Sequence, residues 1–281
     1  MLKLHITNET NQLETVILGT ATSNGPTPKL EEAYDPKSAE HIKAGTYPIE
    51  KDMVAEMDAF AAVLQKYGVQ VYRPEIIRDC NQIFTRDIGF VIDDVFIKAN
   101  ILPDRQAEFQ AIEYIVKQMN PDKVVTPPEE VHIEGGDVMP WNEHIFIGTY
   151  KGDDYKEQVT ARTNMAGVAF IQKLFPHKKV KEFDLVKSKT EARDNALHLD
   201  FHGTVCERLR EAGLETATYT GQTDPAEREH LEEDLKANRV KALVATSALG
   251  MGFDKPDLTF VVHVGAPSSP VSYYQQVGRA G

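Results

Sequence analysis

The chain has 281 residues, of which 41% are hydrophobic and 26% charged, and it carries a formal net charge of -12 at pH 7. That is the composition of an ordinary globular protein, with room for one large domain or two smaller ones. Residues 201–281 hold 8 Lys+Arg against 11 Asp+Glu, and residues 1–200 hold 23 against 32, so neither part has the basic excess of an autonomous nucleic-acid binder. Two cysteines, Cys80 and Cys206, give no disulfide framework and fit a reducing, cytoplasmic setting. The N-terminal residues lack an apolar segment for secretion, and no apolar run approaches the ~18 residues needed to span a membrane.

In chain order, residues 14–19 (ETVILG) read as a buried strand and 20–47, rich in Pro, Gly, Ser and Thr, as a long loop. Residues 50–67 read as a helix closed by Gly68, with Met53, Met57, Phe60 and Leu64 forming a core stripe. A strand follows at 69–72. Residues 84–100 (FTRDIGFVIDDVFIKAN) read as a hairpin turning at Asp93-Asp94. A second amphipathic helix is expected over 104–119, with Phe109, Ile112 and Ile115 on one face, then a strand at 124–125. Residues 131–150 form another hairpin around Asn142-Glu143, followed by a helix over 160–174 and a strand over 180–185.

These segments repeat. Asp87 precedes Phe96-Ile97 by nine residues, and Asp137 precedes Phe146-Ile147 by the same nine. The unit is a polar residue at a strand mouth, a hairpin, a helix and a returning strand. Such a unit cannot bury its apolar face alone and stacks on copies of itself. A third copy is expected to begin at Asp200 in ALHLD, yet nine residues on is Leu209, inside CERLREAGL, which has helical spacing. The pattern therefore breaks within residues 195–209. The alternative is that two similar hairpins coincide by chance and the third unit has diverged.

Asp87, Glu134, His198 and Asp200 each follow or interrupt an apolar run. Singly, each reads as a solvated end or a satisfied hydrogen bond. Together they form a coherent set for a planar guanidinium, whose paired N–H donors match carboxylates. Two carboxylates hold the cation, a histidine protonates a departing amine, and a glutamate orients that imidazole. Gly135-Gly136 lets backbone approach closely. The reaction also needs a nucleophile, usually a thiolate, for the guanidinium carbon.

FTRDIGF, HIEGGDV, the ARTN at 161–164 and ALHLD, four motifs in one order, resemble the arginine deiminase, dimethylarginine dimethylaminohydrolase and amidinotransferase superfamily over residues ~4–200. The resemblance implies a ββαβ-blade propeller around a central site, here incomplete. It also implies that Asp87 and Asp200 grip a guanidinium, that His198 is the acid/base supported by Glu134, and that Arg162 contacts a substrate carboxylate. No metal or other cofactor is implied. The family's catalytic cysteine lies near the C-terminus of a full-length domain. Cys80 and Cys206 match no family position and are expected to be bystanders.

Beyond residue 203 the pattern changes. A short helix is expected at 206–213, strands at 215–219, 240–246 and 260–264, an acidic helix at 225–238, and the start of a helix at 269–277. Alternating strands and helices suggest a parallel α/β sheet. VATSALGMGFDKPD (244–257) and HVGAPSSPVSYYQQVGRAG (263–281) resemble motifs V and VI of RecQ-type DNA helicases, and TGQTDPAERE (220–229) is similar to the same family. By this resemblance Thr246 touches a DNA phosphate, Gly252 and Asp254 lie at the cleft coupling ATP to DNA, and Gln275 and Arg279 face the nucleotide. No G-x-x-x-x-G-K-[ST] occurs in the sequence.

The reading is an α/β chain of two grafted pieces: a partial deiminase-like propeller over 1–200 and a partial RecA-like lobe over 201–281. A small guanidino compound is the expected ligand of the first. DNA and ATP enter only through the helicase resemblance, with weak binding, and no membrane partner is expected.

Overall fold

A computed structural model of the chain describes residues 1–9, 11–33, 35–190, 195–199, 215–219, 224–240 and 242–245. The chain divides into two units, Met1–His198 and Leu199–Gly281.

In the first unit, strand β1 (Thr15–Ile17) pairs in parallel with β2 (Gln70–Tyr72). Two helices lie between them, α1 (Pro36–Ala44) and α2 (Glu50–Lys66). Composition marks 20–47 as a loop, but α1 sits inside it. The Asp35 carboxylate accepts from the N–H groups of Lys37 and Ser38, Pro36 occupies the first turn, and Gly45 closes the helix at φ 66°. The expected core stripe of α2 is also corrected. Phe60 is 40% exposed, Met53, Met57 and Leu64 are half-buried, and within α2 only Ala61 is buried. The helix runs along β2, and two three-residue strands are too small a surface to cover it.

The next two sheets share one plan. After a short helix α3 (Thr85–Ile88), β3 (Gly89–Ile92) and β4 (Val95–Lys98) form an antiparallel hairpin, and β5 (Val124–Val125) returns parallel to β4. Between β4 and β5 the backbone makes 3-10 turns over Pro103–Ile112 before one α-helical turn, α4 (Glu113–Val116). This replaces the continuous α-helix expected there. Phe109, Ile112 and Ile115 step by three, the 3-10 period, and all are buried.

The following sheet has β6 (Val138–Trp141) antiparallel to β7 (His144–Thr149), with β8 (Lys179–Asp184) parallel to β7 across six registered pairs. Helix α5 (Met165–Leu174) links β7 to β8, capped by Asn164, whose side chain accepts from the Gly167 N–H. It starts five residues later than expected because Thr160, Ala161, Arg162 and Thr163 are buried in a separate role.

Both hairpins turn on two residues, and the first of each, Asp93 (φ 52°) or Asn142 (φ 54°), is left-handed, a conformation that short Asx side chains tolerate. Lys178 ties the turns together: its Nζ donates to the Asn142 carbonyl at 2.6 Å and lies 2.7 Å from Asp93 Oδ1. Ile92, Ile97, Ile133, Ile145, Ile147 and Ile171 are wholly buried in the core between these sheets and α5.

In the second unit, β9 (Thr216–Tyr219) and β10 (Ala242–Ala245) pair in parallel, and α6 (Pro225–Lys236) connects them. Asp224 caps α6, and its Leu231 packs on Ala217 and Tyr219. The elements expected at 206–213, 260–264 and 269–277 lie outside the described residues. Among the described residues no helix is long and apolar enough to cross a membrane.

Candidate functional site

The repeat positions its polar residues at one place. Asp87, 7% exposed, is the third residue of α3, just before β3. Glu134, 1% exposed, follows the buried Ile133 and precedes the 3-10 turn Gly135–Asp137 that starts the second hairpin. Arg162 lies in the buried lead-in to α5, and His198 ends the first unit. The glycine pair makes the approach possible. A Cβ on Gly135 would lie 2.1 Å from the Arg86 carbonyl oxygen, and one on Gly136 would lie 2.8 Å from His198 Cγ and 3.2 Å from Asp87 Oδ1.

The contacts are those of a charge network. His198 Nε2 lies 2.8 Å from Glu134 Oε2 and 3.9 Å from Asp87 Oδ1. Arg162 Nη1 donates to Glu134 Oε1 at 3.3 Å. On the other side, Arg105 Nη1 donates to Asp87 Oδ2 at 3.0 Å and lies 3.8 Å from Glu134 Oε2. Arg105 is itself held bidentately by Glu108, at 2.7 and 3.1 Å. Behind them Thr163 Oγ1 donates to Asp137 Oδ2 at 2.6 Å and accepts from the Glu134 N–H at 3.2 Å.

Burial raises the pKa of Glu134, but the hydrogen bond from His198 and the charges of Arg162, His198 and Arg105 outweigh it and hold the carboxyl below its ordinary range. Burial lowers the pKa of His198, but the Glu134 hydrogen bond and the charges of Asp137, Asp87 and Glu134 raise it above its ordinary value of 6.5. Imidazolium and carboxylate are therefore the favoured pair. Burial pushes Asp137 up to about 6, against the attraction of His198 and Lys187. Burial, with Glu108 adding, also raises the Cys80 thiol, against the opposing Arg105.

Asp87, Glu134 and His198 each offer a ligand atom, and these lie within 4.8 Å of one another. The donor set does not fit a metal centre. Asp87 and Glu134 already face Arg105 and Arg162, and the nearest nitrogen of His198 is engaged with Glu134. The arrangement places a proton between the His198 imidazole and the Glu134 carboxylate.

Of the residues singled out from sequence, Asp87, Glu134, Arg162 and His198 are thus brought together. Arg162 lies against Glu134, and its buried Nε has no hydrogen-bond partner among the described residues. Asp200, Cys206, Thr246, Gly252, Asp254, Gln275 and Arg279 lie outside the described residues. Sequence reasoning missed Arg105, Glu108 and Lys187. It used Asp137 only as a marker of the repeat. The three-residue spacing of Arg105 and Glu108 beside Phe109 was the available signal for that pair; Lys187 offered none.

Hairpin, helix and returning strand recur in the first unit around a buried acid–imidazole cluster, and the described part of the second unit is a parallel β–α–β element, so the described chain is α/β throughout. Comparison with known proteins gives both parts. The fold is similar to that of the inosamine-phosphate amidinotransferase StrB1 from Streptomyces griseus, with a TM-score of 0.52 at 15% identity, over all of this chain and 83% of that one. Residues 169–281 match the helicase conserved C-terminal domain family. The ATP-dependent helicase wrn-1 of Caenorhabditis elegans is 42% identical over 73 residues, 26% of this chain and 7% of the helicase. The RecQ-like DNA helicase blm-1 of the same organism is 32% identical over 143 residues, half of this chain and 13% of the helicase. The chain thus spans only a small part of these relatives. The helicase match begins inside α5, yet α5 and β8 are built into the first unit: Ile171 is wholly buried in its core and β8 is registered on β7.

Proposed function

We propose that the first piece, residues 1–200, binds a small guanidino compound at the Asp87–Glu134–His198 cluster, in the manner of a guanidine-modifying enzyme. The observation that carries this reading is the buried carboxylate–imidazole–carboxylate arrangement within 4.8 Å, against a glycine that admits no side chain. Asp87 receives the guanidinium in place of the Arg105 side chain it pairs with here, and by the family resemblance Asp200 is the second carboxylate. His198 is the acid/base, and Glu134 holds its ring and its charge. Arg162 takes a substrate carboxylate, a role supported by its buried Nε, which has no hydrogen-bond partner among the described residues. We propose binding without turnover by the described residues. Attack on the guanidinium carbon calls for a thiolate, and burial with Glu108 keeps Cys80 a thiol at neutral pH.

Calorimetric titration with arginine tests this. Heat of binding that disappears in Asp87→Ala is the expected result. No heat above dilution, or equal heat in the variant, ends the reading.

The second piece, residues 201–281, supports another reading, favoured by the match to the helicase C-terminal family: a fragment of a RecQ-type motor. In it Thr246 contacts a DNA phosphate, Gly252 and Asp254 face the coupling cleft, and Gln275 and Arg279 face ATP. Its net acidic charge makes binding weak. Retention of single-stranded DNA on filters at low salt, lost in Thr246→Ala, would favour this reading over the first.

A further inference from the structure

We propose that Lys187 is a positioning residue for His198: its ammonium grips the two carbonyls immediately before the histidine and so fixes the direction in which the imidazole leaves the backbone. The inference rests on His198 being the proton-carrying group of the site described above.

Lys187 lies just beyond β8, with its side chain turned inward. Its Nζ donates to the carbonyl of Ala196 and to that of Leu197, each at 2.8 Å. Successive carbonyls in extended backbone point apart, so two converging on one cation define a bend, and His198 is the next residue. The flanking bonds hold the two segments side by side. The Ala196 N–H donates to the Val186 carbonyl at 2.9 Å, and the Ser188 N–H donates to Asn195 Oδ1 at 3.2 Å. Lys187 adds what these two bonds lack, a hold on the last two carbonyls before the ring.

The ring needs that hold. It sits against Gly136 with no slack, since even a methyl there would come within 2.8 Å of its Cγ. Its Nε2 must also stay at 2.8 Å from Glu134. A hydrogen bond of this kind weakens steeply with displacement and misalignment. The ammonium itself is costly to keep. Burial pulls it down to about 8, against the attraction of Asp137 and Glu134 and helped by the repulsion of Arg162. An apolar residue would pack there without that desolvation, so what the lysine supplies is its two carbonyl contacts together with a charge near Asp137 and Glu134.

Histidine-selective NMR on the whole chain, with 15N-labelled imidazoles, tests the proposal without any ligand. The charged groups facing His198 are Glu134, Asp87 and Asp137. In Lys187→Met, which keeps the stem and removes the donors, His198 is expected to hold its proton about tenfold less tightly, because the ring drifts from Glu134. Removing a neighbouring positive charge would by itself tighten the proton, and because Lys187 also holds down the Asp137 carboxyl, the comparison is repeated in Asp137→Asn, where the direction separates positioning from electrostatics. Lys187→Arg, which retains donors, should recover most of the loss. A folded Lys187→Met protein with an unchanged or tighter His198 proton overturns the proposal. If that variant does not fold, the parent chain decides. With 15N-labelled lysines, the Lys187 ammonium should exchange its protons more slowly than surface lysines, and exchange at the surface rate overturns the proposal. A failed arginine titration with an altered His198 proton would sink the guanidino reading and leave Lys187 standing; the reverse pattern would do the opposite.

Discussion

Asp137 shows how a residue can be visible in a sequence while its effect is not. Its spacing from Phe146-Ile147 marks the repeat, but only the structure shows it wholly buried, bonded to Thr163 and raised from 3.8 to about 6. A carboxyl whose folded pKa is raised destabilises the fold in its charged form. That penalty is absent below about 3.8, grows between the two values and is complete above about 6. Asp137→Asn removes the titration. Its stability relative to the parent should therefore improve by about 3 kcal/mol between acid pH and pH 8, from the size of the shift. Urea unfolding of both proteins across that range checks the slope, and a flat difference would mean that Asp137 is not buried as described. Asp87, Glu134, Arg162 and His198 were legible because each interrupts an apolar run or sits in a motif. Arg105 and Lys187 were not, because their roles depend on which remote carboxylate or carbonyl they reach, and local pattern does not encode that.

Elements were legible where short-range chemistry decides them. Asp93-Asp94 and Asn142-Glu143 announce hairpins because both turns need a left-handed first residue, and the structure has those turns. Helix α1 was missed although its signals were present: Asp35 and Pro36 at one end, Gly45 at the other. The composition of the surrounding stretch hid them. The core role assigned to the α2 stripe failed for another reason, since burial depends on the size of the sheet opposite. What no local rule supplies is the way the two hairpins are held together. Lys178, its side chain 5% exposed, bridges the Asp93 carboxylate and the Asn142 carbonyl. Lys178→Met should cost about 1–3 kcal/mol in urea unfolding, because it removes the Asn142 carbonyl's donor and leaves the partly buried Asp93 carboxylate only its 3.4 Å contact with His177 among the described residues. The control is Lys123→Met. That lysine pairs with Asp94 on the same turn, but the side chains are 41% and 55% exposed, so the change should stay below about 1 kcal/mol. Equal losses in both variants would show that the bridge is no more than a surface pair.

At the scale of the molecule, the break in the repeat near residue 200 and the start of the helicase match at 169 give two different places to divide the chain. Physical continuity favours the first. Residues 169–185 include the wholly buried Ile171, the buried Phe175 and Leu185, and all of β8 with its six pairs to β7. Each large apolar side chain withdrawn from water contributes about 1.5–3 kcal/mol, and a whole domain is stable by only about 5–15 kcal/mol. A chain ending at residue 200 keeps α5, β8, Lys187 and His198 and should unfold in one cooperative transition with the Glu134–His198 pair intact. A chain ending at residue 168 loses that helix face and the β7 edge pairing together, and it should show no cooperative transition by calorimetry. An unfolded 1–200 fragment would show that residue 200 closes no folding unit, and a cooperative 1–168 fragment would place the boundary where the helicase similarity begins. The similarity would then mark a unit of folding and not only a stretch of shared sequence.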